Sequence, residues 1–96
     1  MERRCFHFYG RVQGVGFRYR AHYAANLLDL TGWVGNLPDG SVLMEAQGEA
    51  AALDKLVQTL KQTSRWIMIE DYTMRPVPLE PGERSFRVRM DGDFQF

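Results

Sequence analysis

From Gly10 to Arg18 the chain reads Gly-Arg-Val-Gln-Gly-Val-Gly-Phe-Arg, a composition suited to holding an anion. Gly14 and Gly16 let the backbone curl without side-chain obstruction. A glycine-rich turn that feeds a helix aims backbone N–H groups at one point, and the helix dipole adds positive potential there. Arg18, placed on the first helical turn, reaches the same point with a planar fork that matches phosphate oxygens. The competing reading is a tight turn with an incidental arginine. The stretch lacks the Gly-Lys-Ser/Thr ending of a nucleotide P-loop and the spacing of a dinucleotide fingerprint, which disfavours both of those ligands.

Other chemistry-bearing residues are more ambiguous. Cys5 and Arg11 form a literal Cys-x5-Arg pattern, the spacing that places a thiolate inside an anion loop. The intervening residues 6–10 alternate as a strand, so they cannot curl around a phosphate, and insensitivity to thiol alkylation is expected. Asn36 precedes Leu37-Pro38-Asp39-Gly40 and by itself reads as a turn residue making local backbone bonds. His7 reads as an exposed strand residue and His22 as a helix surface or flank residue. Neither has the partners of a metal site, so no metal and no cofactor is expected.

The elements that must position these residues follow from periodicity. Residues 5–12 alternate as a strand, with Phe6, Phe8 and Val12 on one face. Phe17, Ala21, Ala24, Ala25 and Leu28 recur at helical spacing, which predicts a helix over 17–30 that Gly32 ends. Residues 33–37 and 41–47 read as two strands of a hairpin joined at Pro38-Asp39-Gly40. After Gly48, the stripe Leu53, Leu56, Val57 and Leu60 predicts a second helix. Residues 65–74 are apolar on both parities, which reads as a strand whose buried face cannot be chosen. A proline-rich loop follows, then a strand over 85–90, and residues 91–96 as a short edge segment. The order βαββαβ, with one further strand, predicts an α+β ferredoxin-like sandwich: an antiparallel sheet with two helices on one face.

Bulk properties narrow the function classes. Ninety-six residues at 45% hydrophobic suit a single domain over 1–96 with one modest core. Twelve basic and 12 acidic residues cancel, which gives no cause to expect a nucleic acid or membrane partner. The arginines are uneven, however: Arg3, Arg4, Arg11, Arg18 and Arg20 face only Glu2 within the first twenty residues. That excess in a neutral chain suits a small anion. One cysteine excludes an internal disulfide, and no signal peptide or long apolar run is visible, so a soluble cytoplasmic protein is expected. Tyr9 and Trp33 could be imagined stacking RNA bases on an open sheet face, but no aromatic run of that kind accompanies them.

Two stretches carry a family resemblance. Residues 10–18 closely resemble the first signature of the acylphosphatases, and Gly32-Trp-Val-Gly-Asn-Leu-Pro-Asp-Gly-Ser-Val42 resembles the second. They occur in the expected order, separated by one helix; the resemblance is specific over about residues 6–48 and architectural beyond. It implies hydrolysis of acyl phosphates to a carboxylate and inorganic phosphate, without metal or covalent intermediate. It further implies that the backbone of Gln13, Gly14, Val15, Gly16, Phe17 and Arg18 binds phosphate, that the Arg18 side chain holds substrate, and that Asn36 positions the attacking water. Two departures stand out. Gly35 replaces a residue that is often basic in the family, and Thr63-Ser64-Arg65-Trp66 replaces a common Gly-Pro pair. Acylphosphatase-like domains also occur within larger carbamoyl-phosphate-processing proteins, and a non-catalytic phosphate-binding role is the alternative reading. A monomer is expected, with Trp66, Met68, Phe94 and Phe96 as the residues through which copies would weakly associate.

Overall fold

The computed structural model describes residues 1–62 and 64–90. In chain order it contains strand β1 (Glu2–Arg11), helix α1 (Phe17–Leu27), strands β2 (Thr31–Asn36) and β3 (Val42–Gly48), helix α2 (Ala50–Gln62), and strands β4 (Met68–Pro76) and β5 (Phe86–Arg89). The strands lie in the order β4-β1-β3-β2-β5. The first four pair antiparallel, as the ferredoxin-like reading requires, while β5 runs parallel to β2 and makes the sheet mixed. The direction of β5 follows from the route of the chain. Pro76, at the end of β4, lies beside Arg4, at the end of the sheet where β2 begins. A chain that crosses the sheet there re-enters in the same sense as β2. The edge segment expected over 91–96, with Phe94 and Phe96, lies outside the described residues. Of the remaining candidates for self-association, Trp66 and Met68 are exposed.

Alternation divides the sheet into two faces. Phe6, Phe8, Val34, Val42 and Met44 are fully buried on the face that carries α1 and α2, where they meet Phe17, Ala21, Leu53, Leu56 and Leu60. Each large side chain buried there contributes about 1.5–3 kcal/mol. On the other face, Arg3 is 3% exposed and pairs with Glu45 at 2.8 Å and Glu83 at 2.8 Å. Gln47 accepts from the Glu80 N–H at 2.8 Å and donates back to its carbonyl at 3.2 Å. These contacts pin the β4–β5 connection across the sheet, at the end remote from the glycine-rich loop. Burial opposes the Arg3 charge, but hydrogen bonds and Coulomb attraction from Glu83 and Glu45 outweigh it and raise the guanidinium pKa.

The end of α1, the start of β4 and the parity of β4 each have a local reason. Helix α1 stops at Leu27, because Asp29 takes a left-handed φ of 56°. The Asp29 N–H bonds to the Asn26 carbonyl and the Leu30 N–H to the Ala25 carbonyl, a Schellman closure with aspartate in the usual glycine position. Strand β4 starts at Met68, since Ser64 turns the preceding segment by accepting from the Trp66 N–H at 3.1 Å on its hydroxyl. A bulge opposite Tyr9 and Gly10 pairs them with Asp71 and Ile69 and skips Glu70. Ile69 and Tyr72 therefore both pack on the core despite opposite parity, which accounts for the unreadable pattern of that strand.

Gly32 does not end the helix; it lies within β2 at φ 141°, where an added Cβ would stand 1.9 Å from the Glu45 carbonyl oxygen. The backbones of β2 and β3 approach too closely there for any side chain. Gly32→Ala is expected to cost about 2–4 kcal/mol and lower Tm by roughly 10–20 °C in calorimetry.

Candidate active site

The loop of residues 12–16 leaves β1 at the end of the sheet where β2 finishes and β3 begins. Val12 is buried and anchors its start, and Phe17 anchors its finish against Phe8, with ring centroids 5.2 Å apart. Between them Gly14 takes φ 72° and Gly16 takes φ 81°, ψ 15°. An added Cβ meets nothing within 4 Å at Gly16, so the requirement for glycine there is conformational. Gly16 occupies the N-cap of α1 without a side-chain cap, and its first turn carries no acidic residue. The first helical bond runs from the Arg20 N–H to the Gly16 carbonyl at 3.1 Å. The amides before it point out of the helix end, and the first turn itself carries no carboxylate to offset the positive end of the dipole. That arrangement favours an anion.

Arg18 is half-buried on the first turn, and its Nη1 donates to the Arg89 carbonyl at 2.8 Å. Arg89 pairs beside Gly35, the neighbour of Asn36. Asn36 is the last residue of β2; it lies across from Val42, which lies across from Phe8. Paired residues share a face, so Asn36 lies on the helix side of the sheet with Phe8, at the end where the loop enters α1. Its Oδ1 is buried. Two residues distant in sequence thus reach one corner of the fold.

The side chain of Gln13 is committed to the turn after Asn36. Its Nε2 donates to the Leu37 carbonyl at 2.7 Å and the Ser41 carbonyl at 2.8 Å, joining the loop to the turn after Asn36. Val15 is half-buried against the core, while Gly14 and Gly16 are exposed. The turn is also held from β1. The Ser41 hydroxyl donates to Asp39 Oδ1, His7 Nε2 lies 2.6 Å from Ser41 Oγ, and the Tyr9 hydroxyl lies 3.0 Å from His7 Nδ1. The Ser41 hydroxyl, then its N–H, holds the Asp39 carboxyl below its ordinary pKa. His7 is accordingly half-buried and bonded, rather than an exposed strand residue. His22 is half-buried, with its ring 6.4 Å from that of Phe86.

Cys5 and Arg11 lie on the single strand β1. Burial, then the Glu45 charge, pushes the thiol pKa up, which opposes a thiolate nucleophile. Among the described residues, no three His, Cys, Asp or Glu side chains gather as a metal-ligand cluster, and no helix is long and apolar enough to cross a membrane. A wide groove on the other sheet face is lined by Trp33, Glu45, Glu83, Arg87 and Arg89, a mixture of both charges. The Arg89 guanidinium lies 4.3 Å over the Trp33 ring there.

Comparison with known proteins finds one family over nearly the whole chain. The family model described as Acylphosphatase matches residues 5–88. An acylphosphatase of Clostridium acetobutylicum is 40% identical over 88 residues, spanning 92% of this chain and 97% of the relative. The crystal structure of an acylphosphatase from Bacillus subtilis superposes with a TM-score of 0.86 at 34% identity, covering 93% of this chain and 99% of the other. The structure of an acylphosphatase from Coxiella burnetii gives a TM-score of 0.80 at 33% identity, covering 92% and 94%.

Proposed function

This chain belongs to the acylphosphatase family and is a hydrolase of acyl phosphates, and we propose that it works by holding the phosphate on the loop 12–16 and Arg18 while Asn36 orients the attacking water. The observation that carries this reading is the bond from Arg18 to the Arg89 carbonyl, beside Gly35 and therefore next to Asn36. It supports a shared site for a fixed guanidinium, a helix N-terminus and a side-chain amide.

The chemistry asks little more of the protein. An acyl phosphate is an activated anhydride with a carboxylate leaving group, so positioning and charge stabilisation carry most of the rate. The water oxygen bonds to phosphorus as the bond from phosphorus to the bridging oxygen breaks. The carboxylate leaves with the electron pair, and the water proton passes to a nonbridging phosphate oxygen. The loop amides and Arg18 meet charge on the phosphoryl oxygens, and the Asn36 amide fixes the water on the side opposite the leaving group. No protein nucleophile takes part, a reading supported by the buried, high-pKa thiol of Cys5. We assign the same chain to the cytoplasm as a monomer that binds small acyl phosphates and inorganic phosphate.

Hydrolysis of benzoyl phosphate with and without EDTA tests the reading. Rapid hydrolysis unaffected by the chelator is the expected result. A folded protein that fails to hydrolyse it, or loses activity on chelation, would contradict the mechanism.

A further inference from the structure

We propose that Gln13 is a positioning residue: it sets Asn36 relative to the phosphate loop by gripping the turn that follows β2, without touching the substrate through its side chain. This rests on the role assigned to Asn36 above. A glutamine Nε2 carries two hydrogens, and both find backbone acceptors on that turn, the Leu37 carbonyl at 2.7 Å and the Ser41 carbonyl at 2.8 Å. Those carbonyls also close the turn itself: the Leu37 N–H donates to the Ser41 carbonyl at 2.9 Å and the Gly40 N–H to the Leu37 carbonyl at 3.2 Å.

The turn's own bonds fix its shape but not its distance from residues 12–16. The Gln13 amide supplies that second constraint, since it springs from the phosphate loop and ends on the residue directly after Asn36. On the far side, Asp39 and His7 hold Ser41. Asn36 thus stands at the end of a strand whose exit is clamped between the phosphate loop and β1. Misplacing a reacting group by about 1 Å costs on the order of 100-fold in rate. The Gln13 backbone stays in the loop whatever its side chain, so phosphate affinity and turnover should separate when the side chain changes.

The test compares Gln13→Met, Gln13→Glu, Asn36→Ala and the double variant Gln13→Met/Asn36→Ala on benzoyl phosphate, with inorganic phosphate as competitive inhibitor. Gln13→Met keeps the length and loses both donors. It should lower kcat about 10-fold while the phosphate inhibition constant moves less than about two-fold, and it should add no further loss of kcat in the Asn36→Ala background. Gln13→Glu sets a carboxylate against two carbonyl oxygens at neutral pH and regains one donor when protonated. Its activity relative to wild type should therefore rise as pH falls from about 7 toward about 4.5, while that of Gln13→Met stays flat. A merely structural role would move Tm without the pH signature.

Wild-type kcat in Gln13→Met, equal losses of kcat and phosphate affinity, or multiplicative losses in the double variant would overturn the proposal. So would a Gln13→Glu ratio that is flat with pH, a readout that holds even if Gln13→Met folds poorly. Full activity in a folded Asn36→Ala protein would instead overturn the role of Asn36, on which the proposal depends.

Discussion

Replacing Arg18 with alanine should lower kcat/KM for an acyl phosphate by about 10³-fold and weaken inhibition by inorganic phosphate in parallel. The guanidinium is held on the first turn of α1, with Nη1 anchored to the Arg89 carbonyl at 2.8 Å. Anchoring one nitrogen removes much of the rotamer entropy that a long side chain would otherwise lose on binding. An alanine there leaves the loop amides as donors but deletes a full positive charge beside a dianionic phosphoryl group. Both the bound phosphate and the transition state lose the contact, so affinity and turnover fall together. The fold should survive, because Arg18 is only half-buried and its bond to the Arg89 carbonyl is worth about 1 kcal/mol. Arg18→Lys should recover part of the affinity and little of the turnover, since it restores the charge without the planar fork.

Much of the fold and part of the site were legible in the residues themselves. Helix α2, the β2–β3 hairpin and the alternating face of Phe6 and Phe8 are local patterns, and they appear where periodicity placed them. The loop that feeds α1 was legible because its glycines and Arg18 adjoin in sequence. Asn36 was not, since an asparagine before a turn has an ordinary explanation; only the resemblance singled it out.

The features that escaped are those set by tertiary pairing. The anchor for Arg18 is a backbone carbonyl on β5, delivered by a parallel pairing with β2 that no composition announces. The reach of Gln13 to Leu37 and Ser41 spans the sheet end and leaves no periodic trace. The end of α1 at Asp29 depends on a left-handed aspartate, where Gly32 looked the better stop. The mixed parity of β4 needed a bulge to explain it.

Asn36→Ala carries the second large effect, and its character differs from that of Arg18→Ala. The amide bears no charge to attract phosphate, and its position at the end of β2, on the helix side of the sheet, suits contact with a water approaching the phosphorus. Truncation should therefore lower kcat by about 10²–10³-fold while leaving phosphate affinity nearly intact. An alanine at a strand end is tolerated by the sheet, so the loss should appear in a folded protein. The most direct test of the account is thus a paired determination, in Asn36→Ala, of kcat on benzoyl phosphate and the inhibition constant of inorganic phosphate. The expected result is a kcat at least about 100-fold below wild type with an inhibition constant within about two-fold of it. Turnover close to wild type, or phosphate affinity falling in step with turnover, would contradict the division of labour between Arg18 and Asn36.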